Sequence, residues 1–319
     1  MNSKLLHENV VGRGVSLWAM LVFLGLMTAH ATASETPADQ RVFKSPEAAI
    51  EALVVAAGDG DMVALMAIFG PEGREVLSSG DPVHDRHNRA VFNVALDQQW
   101  TLEDIDDRTK ELVVGHEQWP FPIPLVKETD GWRFDTAAGK QEVLARRVGR
   151  NELAAIAVCR IYALAQRQYA SQSHDGQPQG AYAQKLRSEP GKHDGLYWAV
   201  SSPDEEPSPL SELAAKAAAA GYSDDEHNKL TPFHGYYYRI LSSQGADAPG
   251  GAKDYIVDGR MTGGFALIAY PAEYGNSGIM TFTINHDGVL YETDLGEDTA
   301  KRAEQMMAYN PGTEWRIVE

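Results

Sequence analysis

Cysteine is almost absent from this chain: Cys159 is the only one in 319 residues. A single cysteine excludes an intrachain disulfide, so packing alone has to stabilise the fold, and we expect Cys159 to be a free, buried thiol. Basic residues are also few, since 28 lysines and arginines stand against 45 aspartates and glutamates, a formal net charge of -17. That charge disfavours nucleic acid and anionic membrane surfaces as partners, because both repel an acidic protein.

Familiar catalytic motifs are missing as well. The sequence has no Gly-x-Ser-x-Gly elbow, no Walker phosphate loop and no His-Glu-x-x-His zinc motif. The glycine-rich stretch 245–251 lacks the lysine and the serine or threonine of a phosphate loop, so we expect it to be a flexible connection. The sequence therefore favours a non-catalytic protein over an enzyme, and nothing in it indicates a cofactor.

The N-terminus has the features of a secretory signal. Lys4 and Arg13 provide a positive region, residues 17–27 are apolar, and Ala31-Thr32-Ala33 is a small-residue cleavage site. The apolar run is shorter than the roughly 20 residues that span a bilayer. We therefore expect residues 1–33 to be a cleaved signal peptide, with no membrane span in the mature, periplasmic or secreted protein.

The length of the chain predicts two cores. After a polar tether, residues 34–42, helix signals come first and strand patterns follow, with a hairpin signal at Thr129-Asp130-Gly131. Helices followed by a meander predict an α+β domain over residues 43–140. This layout, closed by the strand Gly131-Trp132-Arg133-Phe134-Asp135, resembles the NTF2-like superfamily, which implies a helix-plus-curved-sheet cone.

Residues 141–319 are predicted to form a second domain, a long helix with an antiparallel sheet. Apolar residues recur at steps of three and four from Leu144 to Tyr169, with Asn151 the one polar position of this seam. Four arginines lie off the seam and are expected in solvent: Arg146, Arg150, Arg160 and Arg167. Strand patterns follow at 236–241, 265–270, 279–285 and 289–293.

This second domain resembles the globular head of type IV pilins and pseudopilins. The strings that carry the resemblance are Tyr169-Ala170-Ser171, Gly235-Tyr236-Tyr237-Tyr238, the strand 265–271, and Phe282 with Gly288-Val289-Leu290-Tyr291. The prepilin cleavage motif and the apolar N-terminal half-helix of a pilin are missing, so we do not expect a pilus subunit. Over nearly the whole mature chain, the strings 190–198, 234–241 and 264–272 are similar to a family of exported bacterial proteins defined as a domain of unknown function, which implies no activity.

Four side chains of the first domain are candidates for acid–base catalysis: His84, Asp85, His87 and Glu117. Together with Trp100 and Trp119 they could line the mouth of an NTF2-like cone, where an apolar pocket would shift their pKa values. The alternative is that the histidines and Asp85 belong to a polar segment that enters a helix, with the tryptophans as core and rim.

His-Asp-Gly occurs three times, beginning at His174, His193 and His286. Asp-Gly is typical of turns, most clearly at Asp287-Gly288 between two strand patterns. The alternative is a zinc or copper site formed by His193, His234 and His286 with Asp194. These residues lack the short fixed spacings of known metal motifs, so we favour turns over a metal site.

Tyr236, Tyr237 and Tyr238 alternate between the faces of a predicted strand, so one or two of the rings are expected at the surface, where tyrosine often contacts a partner. With His193 and His234 they are the candidate binding residues. We therefore expect an exported, non-catalytic binding or assembly protein of the cell envelope with a protein or glycan partner and no indicated oligomeric state. The alternatives are a periplasmic hydrolase or isomerase with an NTF2-like pocket, and a metal-binding protein.

Overall fold

A computed structural model describes residues 40–200, 202, 204–219, 222 and 231–318. The predicted signal peptide and most of the predicted tether lie outside the described residues. The described part of the chain belongs to one unit that contains two hydrophobic clusters. One cluster is formed before residue 135 and the other after residue 154. A single helix reaches both, and the predicted division at residue 140 stays a prediction.

Four helices open the fold, in the region where the sequence carries helix signals. They are α1 (Pro46–Asp59), α2 (Met62–Phe69), α3 (Gly73–Leu77) and α4 (Pro82–Gln98). The side chains of Ser45, Asp61 and Asp81 cap α1, α2 and α4, because each accepts a hydrogen bond from an amide of the first turn. Proline at the first position of α1 and α4 needs no amide donor there and helps to start both helices.

An antiparallel sheet follows. Its strands are β1 (Trp100–Asp106), β2 (Thr109–Val114), β3 (Trp119–Pro120), β4 (Leu125–Lys127) and β5 (Trp132–Phe134), in the order β1-β2-β4-β5 with β3 beside β2. The predicted hairpin at 129–131 is confirmed, since the Glu128 amide donates to the Gly131 carbonyl at 2.7 Å. The sequence patterns did not predict β1.

The predicted long helix is α5 (Thr136–Ala170), 35 residues in length. Its buried seam includes Val148, Ala155 and Tyr162, and the polar seam residue Asn151 is buried with them. The Asn151 side-chain amide donates to the Ser277 carbonyl at 2.9 Å, which satisfies it inside the core. None of the helices in the described ranges combines the length and apolar character needed to cross a membrane.

After the short helix α6 (Ser211–Ala219), the chain forms a second sheet. The elements of this part of the chain are, in order, β6 (Tyr236–Leu241), β7 (Ser243–Gln244), β8 (Lys253–Asp254), β9 (Ile256–Val257), β10 (Arg260–Met261), β11 (Ala266–Pro271), β12 (Met280–Asn285), β13 (Leu290–Asp294), α7 (Thr299–Gln305) and β14 (Arg316–Ile317). Five strands pair antiparallel in the order β14-β13-β12-β11-β6, and β7 with β8 and β9 with β10 form two short pairs. Helix α5 packs on β11 and β12, which buries the second cluster.

The α+β class is confirmed, with helices and open antiparallel sheets. The predicted turn between β12 and β13 is also confirmed: Gly288 has a φ of 84° and its amide donates to the Asn285 carbonyl at 2.9 Å. Cys159 is a buried free thiol, as predicted.

Candidate functional site

The first half of the protein contains a cavity of about 750 Å³ that is partly open to solvent. Four aromatic rings form much of its wall: Phe69, Phe92, Trp119 and Phe121. Phe121 lies between the others, with ring centroids 5.3 Å from Phe92, 6.2 Å from Phe69 and 6.3 Å from Trp119. Trp119 remains 41% exposed although it belongs to this aromatic group. We call this space the apolar cavity.

Helices α4 and α5 both line the apolar cavity without packing closely on each other. The lining positions of α4 include Asn88, Phe92 and Ala95, which recur at steps of three and four. The lining positions of α5 include Val143 and Arg150, seven residues apart. This spacing puts one face of each helix toward the cavity. Beneath them, the remaining apolar wall comes from Leu53, Ala57, Leu65, Val76, Leu77 and Val114.

Two arginines of the cavity wall already interact with other groups of the protein. The Arg146 guanidinium binds Glu142 at 2.6 Å and lies over the Trp119 ring, 5.5 Å from its centroid. Arg147 is buried and donates to the backbone carbonyls of α3 and of Ser78, and to the side chain of Asn276. Its contacts join the first half of the fold to the second. Burial lowers the Arg147 pKa, opposed in part by the nearby Asp85 carboxylate.

The other two arginines of the wall, Arg89 and Arg150, have no ion pair or hydrogen bond among the described residues. The one carboxylate of the wall, Asp85, is already engaged by Ser79. It accepts from the Ser79 amide at 3.0 Å and from the Ser79 hydroxyl at 2.6 Å. The polar part of the cavity is therefore positively charged, in a chain that is acidic as a whole.

Of the four acid–base candidates, only Asp85 lines the apolar cavity. His87 and Glu117 are exposed, on α4 and on the turn before β3. His84 lies half-buried at the junction of the two halves instead. Trp119 lines the cavity as expected, whereas Trp100 packs on the first hydrophobic cluster.

A second polar group, which we call the junction cluster, consists of Asp81, His84, Tyr222 and His234. Asp81 is fully buried. One of its carboxylate oxygens accepts from the His84 amide at 3.0 Å and caps α4. The other oxygen accepts from the Tyr222 hydroxyl and from the Gly235 amide, the latter at 3.2 Å. One carboxylate thus connects α4 to the segment that enters β6.

The two histidines of the junction cluster meet edge to face, with ring centroids 5.8 Å apart. Burial lowers the pKa of both rings, and the Asp81 carboxylate opposes this in part. The buried Nε2 of His84 has no hydrogen-bond partner in the described part of the chain. The pKa of Tyr222 is raised, first by burial and then by its hydrogen bond to Asp81. These groups are held neutral around one buried carboxylate.

The three metal-site candidates lie in different surroundings. His193 stacks on Trp198, 4.3 Å between centroids, and its Nε2 is 3.3 Å from Glu205. His286 meets the Tyr255 ring edge-on in the second sheet, and His234 belongs to the junction cluster. Within the described ranges, no three His, Cys, Asp or Glu side chains are placed to hold a metal ion.

The tyrosine run lies mostly inside the protein. Tyr236 is fully buried and its hydroxyl donates to the Met280 carbonyl at 2.9 Å. Tyr237 and Tyr238 are half-buried and line a smaller space of about 340 Å³. Tyr238 and His234 share the same stretch of chain, but His193 lies elsewhere, on the loop after α5.

Several residues of these two sites were not candidates at the sequence level. Asp81-Pro82 is a helix-start signal and could have identified Asp81 as a cap, although not as the acceptor from Tyr222. The sequence around Arg89 and Arg150 does not indicate that they line a cavity, because an arginine beside a cavity and an arginine in solvent occur in the same helical patterns.

A family model described as "Protein of unknown function (DUF2950)" matches residues 40–318. No curated protein and no solved structure matches the chain. The matched range contains both the apolar cavity and the junction cluster.

Proposed function

Because that match spans most of its length, the chain belongs to the DUF2950 family of unknown function, and we propose that it is an exported, non-catalytic binding protein of the cell envelope. In this proposal the apolar cavity is the ligand site. Family membership brings no activity with it, so the proposal depends on the cavity. The signal-like N-terminus supports export.

The size and the chemistry of the apolar cavity carry the proposal. Ligand sites in proteins typically have volumes of about 300–1,000 Å³ with mostly apolar walls and a few polar groups. The cavity of about 750 Å³ fits this description, with Phe69, Phe92 and Phe121 in its wall. A glycan would bring more hydroxyl groups than the few polar side chains of this mostly apolar wall can hydrogen-bond. An apolar ligand therefore suits the cavity better than a sugar.

The arrangement of elements supports the finer fold assignments that we propose. Helices α1 to α5 and the sheet β1 to β5 surround a pocket, which is the arrangement that an NTF2-like cone would have. Helix α5 packed on the antiparallel sheet β6 to β14 is similar to the head of a pilin. Both assignments remain proposals beside the α+β class.

The enzyme alternative receives less support from the same site. Acid–base catalysis needs titratable groups that converge on a substrate. The cavity wall offers Asp85 alone, and its carboxylate already accepts hydrogen bonds from Ser79. The junction cluster holds more titratable groups, but His84 and His234 are not among the lining residues of the cavity. Binding without turnover is therefore the function that we propose.

A neutral fluorescent probe tests the proposal. Nile red should bind the full chain, expressed with its own leader, and gain fluorescence. Val143→Trp places a large ring in the cavity and should weaken binding roughly tenfold or more. Leu164→Trp is the matched control, because Leu164 is exposed on the same helix outside the cavity. Equal binding by both folded variants, checked by circular dichroism, would exclude the apolar cavity as the site.

A further inference from the structure

The charge distribution of the apolar cavity identifies the class of its ligand. We propose that the cavity binds a free single-chain amphiphile with a carboxylate head group. Its chain would lie among Phe69, Phe92 and Phe121, and its carboxylate would bind Arg89 and Arg150. This inference rests on the proposed function, since it names the ligand of the same site.

The first argument is the count of charged groups on the cavity wall. Four arginines line the cavity and only one carboxylate, Asp85, accompanies them. Asp85 accepts hydrogen bonds from Ser79, and Arg146 is paired with Glu142. No acidic side chain of the wall is left to neutralise Arg89 and Arg150. A ligand carboxylate would supply the missing negative charge.

The second argument concerns the cost of an unpaired guanidinium. Arg89 is half-buried beside the apolar wall, on the face of α4 that also carries Phe92. Removing a cation from water without a partner is unfavourable. Arginine binds a carboxylate through two parallel hydrogen bonds, which are stronger than those between neutral groups. A carboxylate bound to Arg89 would therefore offset that cost.

The third argument distinguishes a free amphiphile from a membrane surface. The chain has a net charge of -17, which repels the anionic surface of a bilayer. The cavity volume is that of a site for one small molecule. The aromatic wall provides burial for a hydrocarbon chain, and α4 and α5 each contribute to the same cavity one arginine that is unpaired among the described residues. A single carboxylate amphiphile matches both features.

Displacement of Nile red by three decyl compounds tests the charge preference. Decanoate, decanol and decylammonium are compared on the full chain, below the concentrations at which they form micelles. We expect decanoate to bind at least about tenfold more tightly than decanol, and decylammonium more weakly than both. Dodecanoate should bind about fifteenfold more tightly than decanoate, since each buried methylene contributes about fourfold.

Paired variants locate the head group. The double variant Arg89→Gln with Arg150→Gln should lose the preference for decanoate over decanol, because its affinity for decanoate falls at least about tenfold and its affinity for decanol falls much less. Arg160→Gln is the control, because it removes the same charge from an exposed position of α5 outside the cavity. It should leave both affinities unchanged.

The outcomes separate this inference from the proposed function. If decanol or decylammonium binds the native protein as tightly as decanoate, the carboxylate class is wrong but the apolar site stands. If the double variant keeps its preference, the head group does not lie at Arg89 and Arg150. If binding is seen only with vesicles of anionic lipid, the occupant is a membrane and the inference is overturned. If no apolar probe binds at all, the proposed function itself fails.

Discussion

The rings of His84 and His234 meet edge to face, 5.8 Å between their centroids, although 150 positions separate them in the sequence. His84 lies in the first turns of α4 and His234 precedes β6. Asp81 bonds to the backbone beside both, through the His84 amide and the Gly235 amide. The junction cluster thus ties the helical half of the protein to its second sheet.

Acidification should destabilise the protein through this pair. Burial lowers both histidine pKa values below their usual 6.5, so the unfolded chain takes up these protons before the folded chain does. The free energy of unfolding is then highest above pH 6.5 and falls as the pH drops through that value toward the lowered folded pKa values. Urea unfolding at about pH 8 and about pH 5.5 measures the difference.

The variant His84→Gln with His234→Gln should lose less stability over that range than the native protein. His116→Gln is the control, because His116 is exposed on the turn after β2. Other charged or titratable groups also influence the pKa values of the two rings, and they are unchanged in all three proteins: Asp81, Asp85, His87 and Arg150. Equal losses in the double variant and the native protein would contradict the prediction.

Replacing Arg147 should cost much of the stability of the fold. Arg147→Leu leaves the carbonyls of Glu75 and Val76 without their donor, whereas the Ser78 carbonyl keeps the Asn276 side-chain amide. We expect a loss of about 2–4 kcal/mol in the free energy of unfolding, because unsatisfied buried groups are costly. Urea unfolding measures it against Arg160→Leu, an exposed change on the same helix expected within about 0.5 kcal/mol. Similar losses for both variants would argue against a structural role.

Two glycine-to-alanine changes should have opposite effects on stability. Gly235 has a φ of 74°, and a Cβ there would lie 2.5 Å from the side-chain nitrogen of Asn151. Gly235→Ala should therefore destabilise the protein by about 2 kcal/mol or more. Gly149 lies within α5 with no atom within 4 Å of an added Cβ, so Gly149→Ala should stabilise it by about 0.5–1 kcal/mol. Thermal unfolding would refute this if both changes shifted the midpoint downward.

Cys159 should not react in the folded protein. It is fully buried, and burial raises its pKa to about 12, so the reactive thiolate is scarce. We expect no release of chromophore from Ellman's reagent in native buffer at about pH 8, and one equivalent in guanidinium chloride. Stoichiometric reaction in native buffer would show that the surrounding core opens readily.

Much of the fold follows from local patterns. Ser45 and Asp81 mark helix starts because their side chains accept hydrogen bonds from the free amides of the first turn. Strand β6 lies at the predicted positions 236–241. Strand β1 was missed for a physical reason. Five of its seven residues are exposed and three are acidic, and a register shift between Asp104 and Asp106 interrupts its alternation. Such a strand is defined by its partner β2 rather than by its own sequence.

The candidate sites were far less predictable. His84 and His234 were each singled out, but for different sites, because no sequence period relates residues on separate elements. Arg150 was expected in solvent, and it is exposed, yet it also lines the apolar cavity. The cavity depends on α4 and α5 standing apart, which is a property of tertiary packing.

Asn151 on α5 has a consequence for how far the two halves can move relative to each other. Its amide is bonded to the Ser277 carbonyl inside the core, one residue after the cavity-lining Arg150. If the helix moved along its axis by a single turn, about 5.4 Å, these partners would separate. Both groups would then be buried without a hydrogen-bond partner. This hydrogen bond therefore holds the helix at one axial setting, and Arg150 keeps a constant position relative to the second sheet.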